Sequence, residues 1–589
     1  MSLGVERARV CRFFGSGRLT AGLAALVATL GVMGIWAPSS LAYGSGAGNP
    51  FCKELGNQIQ ASSAAQSFCF GPQQNGPNNG QSGSPATSGG SGGTNPSFGS
   101  NIDAANPSED ISPSGVQFPG QSETSLAATG PYVVEAWNDA TGFFSPCPSP
   151  MNKEELTGFG FSADGGSSFV DKGGLPNSNC GNFRLQGDPS VEAWQPGGTA
   201  YFYIASLYDS AFFFGESFIS VSACKATGTG ASASLSCGQP IKAAHSTQSR
   251  CSFFCFGSFL DKDFLSIDPA RGRLYVTYTE FGGSSGTFEG QPEMSVCDIG
   301  SPSGGTGPAG GTAGRPVCET GNGSQPYLVL APGGFCEQEG TYPAVDVAAG
   351  DVYVAWEYNW FTDEFGGCLT QPTRNVVEKV PSLCLPFAAT SPCSSFQQAS
   401  VNITSMDAQL IPGYNRFAPN DFPRIAVDDP AGTVSIVWND ARTKPLGDIL
   451  LQSFALGSLA PVQSAPVRIN DASSGANFLP ALRKASPSGG LQVSWYQRAT
   501  PNTAQTDLRA VRELDPRTTK PPPSTTRITT SSSDWNAVSS FIVPNFGDYT
   551  DNYLLATPTT PYTGRHVFFA WSDGRLGIPQ PFEDNMSLP

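Results

Sequence analysis

From about residue 115 onward the chain repeats one hydropathy pattern. Short runs in which apolar and polar positions alternate end in an aromatic residue. They are YVVEAWND at Trp137, LYVTYTEF at Tyr278, VYVAWEYN at Trp356, VSIVWNDAR at Trp438, LQVSWYQR at Trp495 and VFFAWSDGR at Trp571. AYFYIASLYD (Ala200–Asp209) is a weaker seventh. Upstream of most lies a second apolar run, opened by Asp or Asn: GDPSV from Gly187, DKDFLSID from Asp261, NDFPRIAVD from Asn420, NFLPAL from Asn477 and GDYTDNYLLA from Gly547. A period of two marks a strand, and two such runs joined by a Gly-containing turn make a hairpin. The clear aromatics from Tyr278 to Trp571 are 78, 82, 57 and 76 residues apart, room for four strands and their loops. The expectation is an all-β propeller of seven four-stranded blades, with six as the alternative because the Ala200–Asp209 unit is poorly formed.

Only eighteen residues follow Trp571, too few for a second hairpin, so another segment must complete the last blade. Val116–Phe118 is the expected donor of that outer strand. Residues 43–115 are dominated by Gly, Ser, Asn, Pro and Gln and cannot bury enough apolar surface to fold alone. They read as a flexible tether, which places the propeller at 116–589. Residues 1–42 read as an export signal: Arg7, Arg9, Arg12 and Arg18, then the apolar run Leu19–Ala37, then Ser40-Leu41-Ala42 as cleavage site. An uncleaved membrane anchor is the alternative. No later segment is apolar enough to span a bilayer.

Composition sharpens this picture. The formal charge is −16, and it becomes −19 when the signal's four arginines and one glutamate leave. So acidic a chain repels phosphate backbones, which argues against nucleic acid as a partner. Of fifteen cysteines, Cys11 leaves with the signal, and the rest fall into close neighbours: Cys52/Cys69, Cys147/Cys180, Cys224/Cys237, Cys251/Cys255, Cys297/Cys318, Cys336/Cys368 and Cys384/Cys393. In an exported chain these are disulfide candidates, although sequence does not fix their pairing. With no CxxC pair and only His245 and His566, no metal site is expected. No cofactor is expected either, with structural calcium left open.

The stretch FSADGGSSF (Phe161–Phe169) places Ser162, Asp164, Gly166 and Phe169 at S-x-D-x-G-x-x-aromatic spacing. It resembles the Asp-box of the sialidase-like (BNR-repeat) propeller superfamily, and Gly447–Asp471 resembles a worn second copy. Asp and Ser in such a turn bond to nearby backbone while Gly supplies positive φ. With strands A to D numbered outward from the axis, the box lies between C and D. It therefore sits on the face opposite the D–A and B–C loops, and Asp164 holds a turn. That other face gathers Asp188, Asp261, Asp263, Glu337, Glu339, Asn420, Asp421 and Asp548 with Asn138, Asp209, Glu280, Glu357, Asp440 and Asp573.

The resemblance implies a carbohydrate ligand and a secreted monomer, with glycan or glycoconjugate as partner. A sialidase-type site needs an arginine cluster for the substrate carboxylate, an Asp acid/base and a Tyr nucleophile. Arg416, Arg442, Arg498 and Arg575 are the candidate cluster, with Tyr414 beside them. Asp261, Asp263 and Asp440 are the candidate carboxylates, and Tyr549 the candidate nucleophile. The chain departs from sialidases in lacking an Arg-Ile-Pro segment near the start of the propeller and in counting seven units rather than six. Exo-glycosidase activity and a non-catalytic binding or adhesive role both follow from the pattern. The alternative reading of NDAR and SDGR is as turns whose Arg pairs with a neighbouring Asp.

Overall fold

The computed structural model describes residues 97–98, 101–107, 120–143, 155–210, 216–246, 255–284, 289–319, 328–333, 337–359, 372–385, 393, 395–416, 420–540, 542–556 and 564–588. Strands pair antiparallel into seven separate sheets of the four-stranded kind, the blades of a propeller. Blade one is Gln121–Thr129, Tyr132–Asp139, Thr157–Ser162 and Val170–Gly174. Blade two is built on Ser190–Trp194 and Tyr201–Ser210, so the weak seventh unit is a true blade. The first strands of blades three to seven begin at Cys255, Gln338, Arg424, Ala476 and Asp551. First strands of successive blades face one another, so they line the axis.

The second strands show why the alternating runs were visible. Trp137, Tyr278, Trp356, Trp438, Trp495 and Trp571 all lie on second strands and all are buried. Each packs between its own sheet and that of the preceding blade (blade seven for Trp137), where the apolar core is distributed as inter-blade clusters. Burying an aromatic of this size contributes about 2–3 kcal/mol, which is the main pull holding blade to blade.

The last blade takes Asp551–Leu555, His566–Asp573 and Gln580–Ser587 from the C-terminal end. Its outer strand comes from the N-terminal side, as anticipated, but is Asn101–Asp103 rather than Val116–Phe118. Chain reach explains the difference. The outer strand of one blade and the inner strand of the next are separated by about three strand spacings of ~4.8 Å. The two residues between Phe118 and Gln121 reach only about 10 Å. Asn101 is then locked by its amide, which donates to the Ile528 carbonyl at 3.1 Å and to Asp584 at 2.8 Å. The closing strand thus falls inside the segment read as tether; Val116–Phe118 itself lies outside the described residues.

Three disulfides are described: Cys224–Cys237, Cys297–Cys318 and Cys384–Cys393, each joining sequence neighbours. The first two link directly opposed residues on adjacent outer strands. Cys180 is also disulfide-bonded. Cys52, Cys69, Cys147, Cys251, Cys336 and Cys368 lie outside the described residues, as do the signal and most of the tether. Among the described residues no helix is long and apolar enough to cross a membrane.

Candidate functional site

The turn at Phe161–Phe169 connects the third and fourth strands of blade one. Ser162 Oγ donates to Asp164 at 2.8 Å and accepts from the Gly166 N–H at 2.8 Å. Asp164 accepts from the Ser168 N–H at 3.0 Å and its hydroxyl at 2.6 Å, and Phe169 is buried beneath. The Gly165 N–H donates to the Pro131 carbonyl in the turn between the first two strands, which fixes the end of the blade where this turn lies. A Cβ at Gly166 (φ 82°) would meet the Glu583 carboxylate at 2.8 Å, so only glycine lets this turn seat against blade seven.

At the opposite end, first strands carry bulges. The register shifts between Ser122 and Ser125, Asp261 and Phe264, Glu339 and Tyr342, and Phe478 and Ala481. Within the first two, Glu123 (φ 56°) and Lys262 (φ 53°) adopt the left-handed conformation; Asp188 (φ 53°) does the same just before its strand. A bulge re-aims a side chain that regular pleating would turn away, and here these three side chains meet. Lys262 Nζ lies 2.9 Å from Asp188, 2.8 Å from Asp548 and 3.4 Å from Glu123. Asn138 donates to Glu123 at 2.8 Å and to Asp188 at 3.2 Å. The Asp548 N–H donates to Glu123 at 3.0 Å, and Asp548 also pairs with Arg416 at 2.9 Å. A Cβ at Gly547 (φ 74°) would lie 2.3 Å from Glu123, so glycine is required for this approach.

The cluster is buried, and its protonation follows from that. Burial alone would lower the Lys262 pKa, but Asp188, Asp548 and Glu123 together hold it above the usual range. Asp188 is pushed up by burial and pulled further down by Lys262, leaving it below the usual carboxylate range. Glu123 is held well above that range by burial and by Asp188. Asp263 is raised likewise by burial and by Asp188, and among the described residues no other side chain bonds its oxygens. Deeper in the channel Arg483 of blade six pairs with Glu192 of blade two at 2.7 Å, so a second ion pair crosses the axis.

A wall of acids flanks the cluster in blade four. Glu339 and Glu357 are directly opposed across the hairpin. Both are buried and raised well above the usual range by burial, as is Glu337. Among the described residues, both oxygens of Glu337 lack hydrogen-bond partners. Among the described residues no group of three or more His, Cys, Asp or Glu side chains is placed to hold a metal ion.

Three comparisons were made with known proteins. No family model matches the chain, and no curated protein matches it. Among solved structures, a Trypanosoma rangeli sialidase in complex with 2,3-difluorosialic acid is 8% identical with a TM-score of 0.35, covering 83% of this chain and 59% of that one. Hadza microbial sialidase Hz136 is 9% identical with a TM-score of 0.35, covering 83% and 68%. A thermostable family-43 glycoside hydrolase is 11% identical with a TM-score of 0.26, covering 59% and 93%. The chain thus spans less than two thirds of the trypanosomal enzyme. The likeness is one of fold, which the strand pairings define independently.

Of the four arginines named from the sequence, three are engaged away from the cluster. Arg442 Nη2 donates to Asp440 at 2.7 Å, while Asp440 also accepts the Trp438 indole N–H at 2.9 Å and the Arg442 backbone N–H at 2.9 Å. Arg575 repeats this geometry with Asp573 and Trp571. The NDAR and SDGR segments are therefore clamps that pin the second-strand tryptophan to the following turn. Arg498 is buried over Phe478 and Trp535 and donates to Thr506 at 3.0 Å and to the Thr503 carbonyl at 3.1 Å. Only Arg416 joins the axial cluster. Tyr414 is buried and donates to the Gly547 carbonyl at 2.7 Å; Tyr549 is buried and donates to the Pro189 carbonyl at 2.9 Å. Asp261 caps its own bulge, accepting the Lys262 N–H at 2.8 Å. Glu123 and Lys262 escaped the sequence reading. The signal for Lys262 was the D-K-D triplet, a cation between two acids at the head of an apolar strand.

Proposed function

We propose that this protein is an exported, sialidase-like propeller of the Asp-box kind that engages extracellular glycans or glycoconjugates through the Lys262 end of its channel. The Ser162–Phe169 turn supports the family reading, because its side chains make the backbone bonds that such a box requires. The neighbour-paired disulfides and the acidic composition suit an extracellular setting. We read the role as binding rather than hydrolysis. The observation that carries this is the commitment of the candidate machinery: Arg442 is bonded to Asp440 and to the Asn402 carbonyl of blade four, Arg575 to Asp573 and Thr530, Arg498 to Thr506, and the Tyr549 hydroxyl is spent on a carbonyl. A carboxylate-reading fork and a free nucleophile are what a sialidase-type site needs.

Hydrolysis is the second reading, favoured by one feature. Burial and Asp188 push the Asp263 carboxyl well above the usual range while Lys262 draws Asp188 below it, the opposed shifts that a general acid and a charged partner need. The test uses the purified exported chain on a glycan array and with a fluorogenic sialoside, beside an Asp263→Asn variant. Binding without turnover is expected. Turnover that Asp263→Asn abolishes would replace the binding reading with the hydrolytic one. A folded protein that neither binds nor cleaves any glycan would overturn both.

A further inference from the structure

One cation in the channel is treated differently from the rest. Arg424 opens the first strand of blade five, is 6% exposed, and lies over three rings: Phe264 at 4.7 Å, Tyr342 at 4.6 Å and Tyr549 at 5.3 Å. Among the described residues its guanidinium makes one hydrogen bond, Nη2 to the Thr550 carbonyl at 3.2 Å. Among the described residues no carboxylate lies within ion-pair distance, in contrast to Lys262, Arg416 and Arg483. Asp551, the carboxylate that acts on Arg424 from further off, is committed to the Ser125 hydroxyl at 2.8 Å and the Leu126 N–H at 3.3 Å.

A guanidinium carries five N–H donors, and a buried charge without a counter-ion is costly. Arg424 therefore has donors and charge to spare. It also lines a pocket, with Phe264, Phe422, Leu479, Asp548 and Tyr549 among the walls. The pocket holds ≈ 10 Å³, room for about one water molecule or a compact ion. Asp548 in that wall is already neutralised by Lys262 and Arg416. The opposite wall is kept open at Gly340, where a Cβ would collide with the Phe422 ring at 2.5 Å.

We propose that the pocket beside Arg424 is a binding site for a small monovalent anion, a halide or a free single carboxylate, held by the unspent face of the guanidinium. This goes beyond the glycan reading and stands without it. The anion supplies the counter-charge that the fold omits, and it ties blade five to blades three and seven.

The test is thermal unfolding of the full chain at constant ionic strength, with chloride, bromide or formate replacing the bulky anion gluconate. The expected result is a saturable rise in Tm of about 2 °C or more, absent in Arg424→Gln. Stabilisation by chloride and bromide assigns the site to inorganic halide; stabilisation by formate alone assigns it to a carboxylate source. Should Arg424→Gln fail to fold, crystals of the unaltered chain soaked in bromide decide the matter. An anomalous peak against Arg424 supports the site. Equal Tm in all anions together with no bromide at Arg424 overturns it.

Discussion

Lys262 in blade three reaches Asp548 at the head of blade seven, 2.8 Å away, and so joins two non-adjacent blades across the mouth of the channel. Asp188 and Glu123 complete its surroundings from blades two and one. With all partners buried, the lysine is the only cation among the described residues that offsets Asp188 at close range. Lys262→Met should destabilise the fold by about 3–5 kcal/mol, because it strands buried carboxylates. Asp188→Asn added to it should recover part of that loss. Urea unfolding of the single and double variants checks this; additive losses would show that the residues do not act together.

The Trp438–Asp440–Arg442 clamp divides its work unequally. Asp440 is buried and accepts the indole N–H, the backbone N–H and the guanidinium. Asp440→Ala should cost about 1–3 kcal/mol by leaving the indole donor unpaired. Arg442, whose side chain is 34% exposed, should cost no more than ~1 kcal/mol when replaced by Ala. Chemical denaturation ranks the two, and a larger loss for Arg442→Ala would contradict the clamp.

Ring closure predicts where truncation is tolerated. A chain starting at Ser97 keeps Asn101–Asp103 and should unfold cooperatively, as the longer protein does. A chain starting at Gly120 leaves the Gln580–Ser587 edge without its partner and should aggregate or melt at markedly lower temperature. Equal melting of the two would deny the N-terminal strand its closing role.

The buried acids set the direction of pH dependence. Glu378 is raised from 4.5 to about 8, Glu155 from 4.5 to about 7 and Asp209 from 3.8 to about 7, all chiefly by burial. A carboxyl whose folded pKa is raised stabilises the fold fully below its unfolded pKa and loses that contribution as pH rises through the folded value. Tm should therefore climb as pH falls from about 8 to about 5. Asp188, Asp351 and Asp448 are depressed, and their contribution is lost as pH falls below the ordinary carboxylate range. A stability maximum at mildly acidic pH follows. A melting temperature that falls steadily from pH 8 to pH 5 would contradict it.

Much of the fold was legible because burial between blades enforces a repeating aromatic at a fixed place on each second strand. The same logic exposed even the weak unit at Ala200–Asp209. The closing strand was misplaced because Asn101–Asp103 sits in Gly- and Ser-rich surroundings, and three residues carry no periodicity. The charged end of the channel was foreseen as a gathering of Asp188, Asp263, Glu339, Arg416 and Asp548, from alternation of strand direction alone. Its centre was not foreseen: Lys262 and Glu123 reach the axis through bulges, and a bulge inverts the parity on which a period-two reading depends. Arg442 and Arg575 looked like ligand forks because sequence spacing cannot tell an outward guanidinium from one folded back on its own turn.

The central claim is that ligand meets the protein at the Lys262 end and not at the Ser162–Phe169 end. Hydrogen–deuterium exchange of the full chain, with and without saturating sialyllactose, tests it most directly. The account predicts slowed exchange in the peptides spanning Gln186–Val191, Phe259–Leu265 and Asn545–Asp551, with Ser162–Phe169 unchanged. Protection confined to Ser162–Phe169, or none in the presence of a glycan that the protein demonstrably binds, would contradict it.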